Sequence, residues 1–375
     1  MKIPCKKMKI LCVIDSLCLG GAQRQLIELA AAFREKGHNV SFLTYHHLPF
    51  FNPEVEQRGI SITCIQESSY LKRLLKMRRF IRRGNYDAVL SFLEAANFIS
   101  EVSGFPFRKW KLVVGERTAN PGIVKSPKLR LYRWFHLFSD AVVANSGANM
   151  ELVYQANPLL PKTKSHVLYN IIDFGRFRPP ENFLFRRNPR LYLVVAARIR
   201  TEKNVMGLIE ALSLLSSQER SMLRIDWYGE DVQRKELNPV YTKAVAEIQK
   251  RGLEQVIGFY AATTDILRIV QEADAVGLFS FWEGFPNTIC EAMACAKPVV
   301  CSRVSDVPAF LSHNQNLLCD ASDPQSIKAA LSYLLKMDRE KLRAAGEKNR
   351  NVVMKTFNRE EIVNGYLRLL GAQGA

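Results

Sequence analysis

The chain has 375 residues, 47% of them apolar, a length that calls for two hydrophobic cores rather than one. Its 53 Lys and Arg against 36 Asp and Glu leave a formal charge of +17, which implies an anionic partner: nucleic acid, anionic lipid or a phosphorylated substrate. The eight cysteines show neither a C-x-x-C pair nor zinc-type spacing with histidine, and they read as reduced core residues of a cytosolic protein. The basic start, Met1 to Lys9, leads into a strand rather than a signal-peptide core. No apolar run reaches the ~18 residues of a span, so any membrane association is expected to be peripheral.

Lys9 to Ser16 reads as a buried parallel strand, and from Leu19 the apolar spacing changes to that of a helix. Gly20 and Gly21 sit at the change, where glycine serves either close approach of backbone to a ligand or tight strand–helix packing. Strand patterns recur at Asn39 to Tyr45, Ile60 to Ile65, Tyr86 to Phe92, Lys111 to Gly115 and Asp140 to Asn145, with helical patterns between them. That alternation predicts a doubly wound half. Tyr70 to Arg83 is a helix with Leu71, Leu74, Leu75 and Ile81 among seven Lys and Arg, which fits a solvated basic face and a membrane-surface face equally. A second basic and aromatic stretch, Lys125 to Phe138, favours the membrane, although aromatics with Arg also suit nucleic acid.

Glu94, Asn97, Glu116 and Arg117 fall just after strands of this half, on the edge where loops bind ligands, though each also suits an ordinary cap or loop. His46 and His47 end a strand, where adjacent imidazoles project to opposite sides, so no metal site is expected there. The breaker-rich segment from Asp173 to Pro189 reads as an interdomain linker.

The pattern restarts at Leu191 to Ile199, continues through a helix to Leu215 and a strand from Leu223 to Tyr228, and reaches the apolar run Asp274 to Ser280. A turn follows at Gly284 and Pro286. A helix then opens at about Asn287, and Lys297 and Pro298 must end it before the next buried strand. Such a βαβ unit offers free N–H groups at the helix N-terminus, a site suited to phosphate. Glu283 in the loop and Glu291 in the helix both lean toward that mouth, where carboxylates suit a vicinal diol. Arg198 and Lys203 lie at the carboxyl end of the first strand of this half, able to meet a diphosphate but equally suited to a surface salt-bridge loop.

The segment Glu283 to Val300, EGFPNTICEAMACAKPVV, resembles the E-x7-E signature of family 4 of the retaining, nucleotide-sugar-dependent glycosyltransferases. One departure is Ala296, where that family usually has Gly. Gly20 to Gln23 is similar to the family's first glycine-rich loop, and Asn170 to Asp173 to its crossing into the second domain, with Ile171 in place of Gly. Ser91 to Asn97 and the Glu116-Arg117 to Pro121 segment are similar to bacterial members that extend lipid-linked oligosaccharides, although the His that many relatives carry in the first of these loops is missing. Tyr228 to Val232 departs from the family's Gly-Asp-Gly-Pro.

The resemblance implies an α/β GT-B fold, two doubly wound Rossmann-like domains facing a cleft. The expected boundaries are an acceptor-side domain over 1–175, with a C-terminal helix over 357–375 crossing back to it, and a donor domain over 190–356. It implies transfer, with retention, from a nucleotide-sugar, expected to be UDP-linked, to a glycan on polyprenyl diphosphate. Glu283, Arg198 and Lys203 would act in catalysis. Gly21, Arg198, Lys203, Phe285, Pro286, Asn287, Thr288 and Glu291 would hold the donor, and Glu94, Asn97, Glu116 and Arg117 would lie on the acceptor side. No cofactor and no metal are expected, and the expected location is the inner face of the plasma membrane, held by anionic lipid. The rival reading is a nonenzymatic binder of nucleic acid or anionic polymer, which leaves the paired glutamates unexplained. Within enzymes the rivals are an epimerase or a phosphorylase, the latter lacking an identifiable pyridoxal lysine.

Overall fold

The computed structural model describes residues 6–180, 190–230 and 237–372. The chain divides into two compact units, Met1–Ile171 with Asn358–Ala375, and Ile172–Phe357. The division falls a few residues ahead of the boundary expected from sequence. Residues 181–189 of the expected linker and the end of the Tyr228 to Val232 segment lie outside the described residues.

In the first unit β1 (Lys9–Val13), β2 (Asn39–Thr44), β3 (Ser61–Cys64), β4 (Ala88–Phe92), β5 (Lys111–Glu116), β6 (Ala141–Ala144) and β7 (Ser165–Val167) form one sheet. Its order is β3-β2-β1-β4-β5-β6-β7, and every pairing is parallel. The strands are short apolar runs, and β4 is buried along its whole length, as expected when helices cover both faces of a parallel sheet. Leu11, Val13, Val89, Leu112 and Val114 contribute to the core of this unit. Its last helix, Arg359–Leu369, buries Tyr366 beside Phe92 of β4, with ring centroids 6.4 Å apart.

The second unit repeats the plan with β8 (Leu191–Ala196), β9 (Leu223–Glu230), β10 (Ile257–Ala261), β11 (Ala275–Leu278), β12 (Val299–Ser302) and β13 (Leu318–Cys319). The order β10-β9-β8-β11-β12-β13 is again all parallel. Leu193, Val195, Ile225 and Trp227 anchor the core here. The short strands β7, β10 and β13 were not among the strands read from the sequence. The seven described cysteines are all free, and five of them are buried.

Strand order reverses beside the first strand of each sheet, so crevices open at the carboxyl ends of β1 and β4 and of β8 and β11. The helix after β11, Asn287–Ala294, is tied down from behind. Ala296 takes φ 54, and Lys297 N–H and Ala296 N–H donate to the Ala292 and Met293 carbonyls, a left-handed cap in which Ala replaces the favoured Gly. The long helix Arg339–Thr356 crosses this cap so closely that a Cβ on Gly346 would lie 1.9 Å from the Ala296 carbonyl oxygen. From the same helix Asn349 donates to the Lys297 carbonyl at 2.9 Å and Arg350 to that of Ala294. The buried Lys297 ammonium donates to the carbonyls of Gln271 and Ala273, satisfying the end of the preceding helix. All of this fixes the helix axis, and with it the direction in which the N-terminus at Asn287 points.

Candidate active site

At the β8/β11 crevice the loop after β8 and the loop after β11 are joined directly. Phe281 N–H donates to the Glu202 carbonyl at 2.8 Å, and the Thr288 hydroxyl donates to the Ala196 carbonyl at 3.2 Å. Between these ties the Lys203 ammonium meets the Glu283 carboxylate at 2.5 Å, with both side chains largely buried. The same carboxylate oxygen accepts from the Ser280 hydroxyl at 2.6 Å. Ser280 is itself held through its carbonyl by the Ser302 hydroxyl at 2.7 Å. Glu283 is therefore oriented before any ligand arrives.

Lys203 is placed by a short 3-10 turn, Thr201–Lys203, followed by Asn204 at φ 56. Asparagine tolerates that left-handed geometry, and its side chain caps the next helix by accepting from Gly207 N–H at 3.1 Å. Arg198 is exposed on the same loop. Pro286 precedes the Asn287–Ala294 helix without offering a side-chain cap, and the first turn carries no acidic residue. A helix N-terminus of this kind favours an anion. Phe285 turns inward against Phe357, with ring centroids 5.4 Å apart, so only its backbone faces the turn. Among the described residues no group of three or more His, Cys, Asp or Glu is gathered as a metal site requires.

In the first unit Glu94 and Glu116 are linked through Arg133, whereas Asn97 bonds to Ser91 and Gly115 and Arg117 to Asn170 and Tyr366. Gly21 is the exposed first residue of the Gly21–Glu35 helix. Glu94 opens the Glu94–Gly104 helix, directly after Leu93 at φ 77, a backbone region costly for a bulky residue. Asn97 is fully buried, accepting from the Ser91 hydroxyl at 2.8 Å and donating to the Gly115 carbonyl at 3.0 Å. The Arg117 guanidinium lies 3.7 Å from the centre of the Phe92 ring and donates to Asn170 at 3.1 Å and to the Tyr366 hydroxyl. Glu116, the last residue of β5, accepts from Arg133 at 2.7 Å and lies 2.9 Å from His136 Nε2.

Arg133 and His136 belong to the basic and aromatic Lys125 to Phe138 stretch, and both are fully buried, on the Pro127–Trp134 helix and the turn Phe135–Phe138. Arg133 also reaches Glu94 at 3.3 Å, and His136 Nδ1 lies 2.6 Å from Glu101. Burial alone would raise the Glu116 carboxyl, but Arg133 and His136 hold it down at about 2. Burial likewise opposes a charged His136, and the two flanking glutamates overcome it, raising the imidazole to about 9. Glu101 is pushed above its ordinary value, chiefly by burial. A signal for this network was available: Glu94 and Glu101 share one face of their helix, and Arg133 and His136 are spaced to share another.

Two parallel Rossmann-like sheets, each with its crevice beside its first strand, define the GT-B class of glycosyltransferase folds. The profile of Glycosyltransferase Family 4 matches residues 19–176 and that of Glycosyl transferases group 1 matches residues 181–352, and the chain belongs to this family of glycosyltransferases. In sequence it is 25% identical over 374 residues, covering 95% of this chain and 98% of the relative, to the N-acetylgalactosamine-N,N'-diacetylbacillosaminyl-diphospho-undecaprenol 4-alpha-N-acetylgalactosaminyltransferase of Campylobacter jejuni. It is 23% identical, over 93% of both chains, to the N-acetyl-alpha-D-glucosaminyl L-malate synthase of Bacillus anthracis. The structure of HepE from Anabaena in complex with UDP and glucose shares the fold with a TM-score of 0.83 and 20% identity, covering 97% of this chain and 99% of that one.

Proposed function

We propose that this glycosyltransferase moves a sugar, with retention, from a UDP-sugar to a glycan carried on polyprenyl diphosphate. The observation that carries the donor side is the Lys203–Glu283 pair, held where Phe281 N–H donates to the Glu202 carbonyl and the Thr288 hydroxyl to the Ala196 carbonyl. As the sugar–phosphate bond breaks, negative charge grows on the diphosphate, and Arg198, Lys203 and the N-terminus of the Asn287–Ala294 helix stabilise it. Those groups meet the leaving-group charge, so transfer is expected to proceed without a divalent metal. Glu283, oriented by Lys203 and Ser280, takes hydroxyls of the donor sugar, and Glu291 takes the ribose diol. The relative from Campylobacter jejuni, whose name specifies an undecaprenyl-diphosphate acceptor and which aligns over nearly the whole of both chains, supports the acceptor class. The malate-named relative marks the alternative to test beside it.

The test is a panel of UDP-sugars offered with undecaprenyl-diphosphate glycans and with small hydroxy acids, analysed by mass spectrometry with and without EDTA. Product on the lipid-linked acceptor, undiminished by EDTA, is expected. Transfer only to a hydroxy acid overturns the acceptor class, and loss of turnover restored by Mg²⁺ overturns the leaving-group argument. Glu291→Ala is expected to weaken UDP-sugar binding by about 30- to 1,000-fold, since two lost hydrogen bonds to a diol cost roughly 2–4 kcal/mol. Unchanged affinity by calorimetry, in a protein still folded by circular dichroism, refutes the ribose assignment.

The +17 charge supports docking of the first unit on anionic bilayer. The Tyr70–Arg83 helix buries Met77 and Ile81 while exposing Leu71 and Leu75 beside Lys72, Arg79 and Arg83. Leu131, Trp134 and Phe138 are exposed on the second basic stretch. Among the described residues no helix is long and apolar enough to cross a membrane. Changing Lys72, Arg79 and Arg83 together to Gln is expected to weaken binding to anionic vesicles about 100-fold, at about 1 kcal/mol per basic residue. Arg73 is left in place because its guanidinium lies over the Tyr45 and Tyr70 rings. Sedimentation that is equal on neutral and anionic vesicles, or that does not respond to salt, refutes the docking.

A further inference from the structure

The buried ionic network of the first unit has one end that reaches solvent. Along the series Glu101, His136, Glu116, Arg133 and Glu94, the first four side chains are 0%, 1%, 2% and 0% exposed, and Glu94 is 27% exposed. Each link is a direct contact: Glu101 to His136 at 2.6 Å, His136 to Glu116 at 2.9 Å, Glu116 to Arg133 at 2.7 Å, and Arg133 to Glu94 at 3.3 Å. Arg133 pairs with Glu94 through one carboxylate oxygen, Oε1. Glu94 stands at the carboxyl end of β4, beside the switch in strand order, where an open α/β sheet binds its ligands. The backbone just before it, at Leu93, is held at φ 77 and ψ 150.

A buried ion network is a weak source of stability compared with apolar packing of the same volume. What it does supply is direction. Arg133 cannot move without taking away one of the two partners of the buried Glu116 carboxylate, and Glu116 cannot move without breaking from His136. The position of the Glu94 carboxylate is therefore set by groups as far back as Glu101. We infer that Arg133 and His136 are positioning residues for the acceptor, holding the Glu94 carboxylate at the sheet edge to take a hydrogen bond from a hydroxyl of the incoming glycan. This rests on the reading of the first unit as the acceptor side, and it names the residues through which that side is ordered. Glu116 and Asn97 then act behind the surface rather than against the substrate.

The experiment is a double-mutant cycle on the full chain, run with an acceptor that the wild type uses in the UDP-sugar panel, so that a wrong acceptor class is exposed there before any variant is compared. Glu94→Gln removes the surface charge while keeping its shape, and it is expected to lower acceptor kcat/KM ~10-fold or more with UDP-sugar affinity unchanged. Arg133→Lys keeps the buried charge, but its shorter side chain withdraws the nitrogen position, Nη2, that donates to both Glu94 and Glu116, and it is expected to lower acceptor kcat/KM comparably. In the Glu94→Gln background the same Arg133→Lys change is expected to cost little more, because its effect passes through Glu94. His136→Gln is expected to follow the same pattern. Two results overturn the inference: unchanged acceptor kcat/KM for Glu94→Gln, or an Arg133→Lys effect that adds in full to that of Glu94→Gln. If Arg133→Lys does not fold, the outcome for Glu94→Gln and His136→Gln decides.

Discussion

Lys203→Ala is expected to lower kcat by about 10²- to 10³-fold, the usual loss when one preorganised donor to a developing anion is removed. On the proposed mechanism the side chain serves two ends at once. Its ammonium is one of the cations available to the leaving diphosphate, and it is also the charge against which Glu283 is set at 2.5 Å. Without it Glu283 keeps the Ser280 hydroxyl and loses its countercharge, so the variant is also expected to bind UDP-sugar more weakly. The fold has no stake in the change, because the turn Thr201–Lys203 is followed by a helix capped independently by Asn204. Steady-state rates with saturating donor, beside a thermal melt, check this. Wild-type turnover in the variant would remove Lys203 from the catalytic machinery.

The second large effect concerns stability and pH. His136 is raised in the folded state from 6.5 to about 9. Its contribution is therefore full below pH 6.5 and is lost as the pH rises through 9, about 3 kcal/mol over that window at 1.36 kcal/mol per unit. Glu116, held down at about 2, contributes above the ordinary carboxylate range and stays constant between pH 6.5 and 9. Glu101, raised mainly by burial, acts in the same direction as His136. Lys297 acts oppositely above pH 8, because burial depresses its ammonium to about 8 and favours the folded state as it deprotonates. The measurement is thus a difference: urea midpoints of wild type and His136→Gln from pH 6 to 9.5. The gap between them is expected to close as the pH rises, and a constant gap would mean that His136 carries no extra proton in the fold.

The segment from Glu283 to Val300 was readable because its signals are local. Gly284 and Pro286 turn the chain, the next eight residues follow helical spacing, and Pro298 prevents continuation, so the Asn287–Ala294 helix lies where the pattern placed it. Ala296 was recognised as standing in a glycine position, and the structure gives it the left-handed backbone that the position requires. The crossing of Gly346 over that cap was not readable, because 50 residues of chain intervene and close approach leaves no pattern except a small residue. Within the basic stretch from Lys125 to Phe138, the inward-facing Arg133 and His136 were unreadable for a related reason. Charge and aromatic content mark it as amphipathic, but which arginine faces inward depends on whether a carboxylate waits on another element.

The amino-acid sequence by itself determined the parallel α/β architecture, the repeat of the plan in two halves and the strand–turn–helix unit after β11. Each of these follows from spacing within a few residues, where apolar periodicity and turn chemistry act directly. Only the tertiary structure decided that Lys203 meets Glu283 from 80 residues away, and that Arg133 joins Glu94 to Glu116 across 39 and 17 residues. Those pairings arise when separate helices and strands dock. A charged side chain then keeps its place in the core only where an opposite charge has been brought within hydrogen-bond reach, and that condition is set by the packing of whole elements rather than by neighbours in the chain.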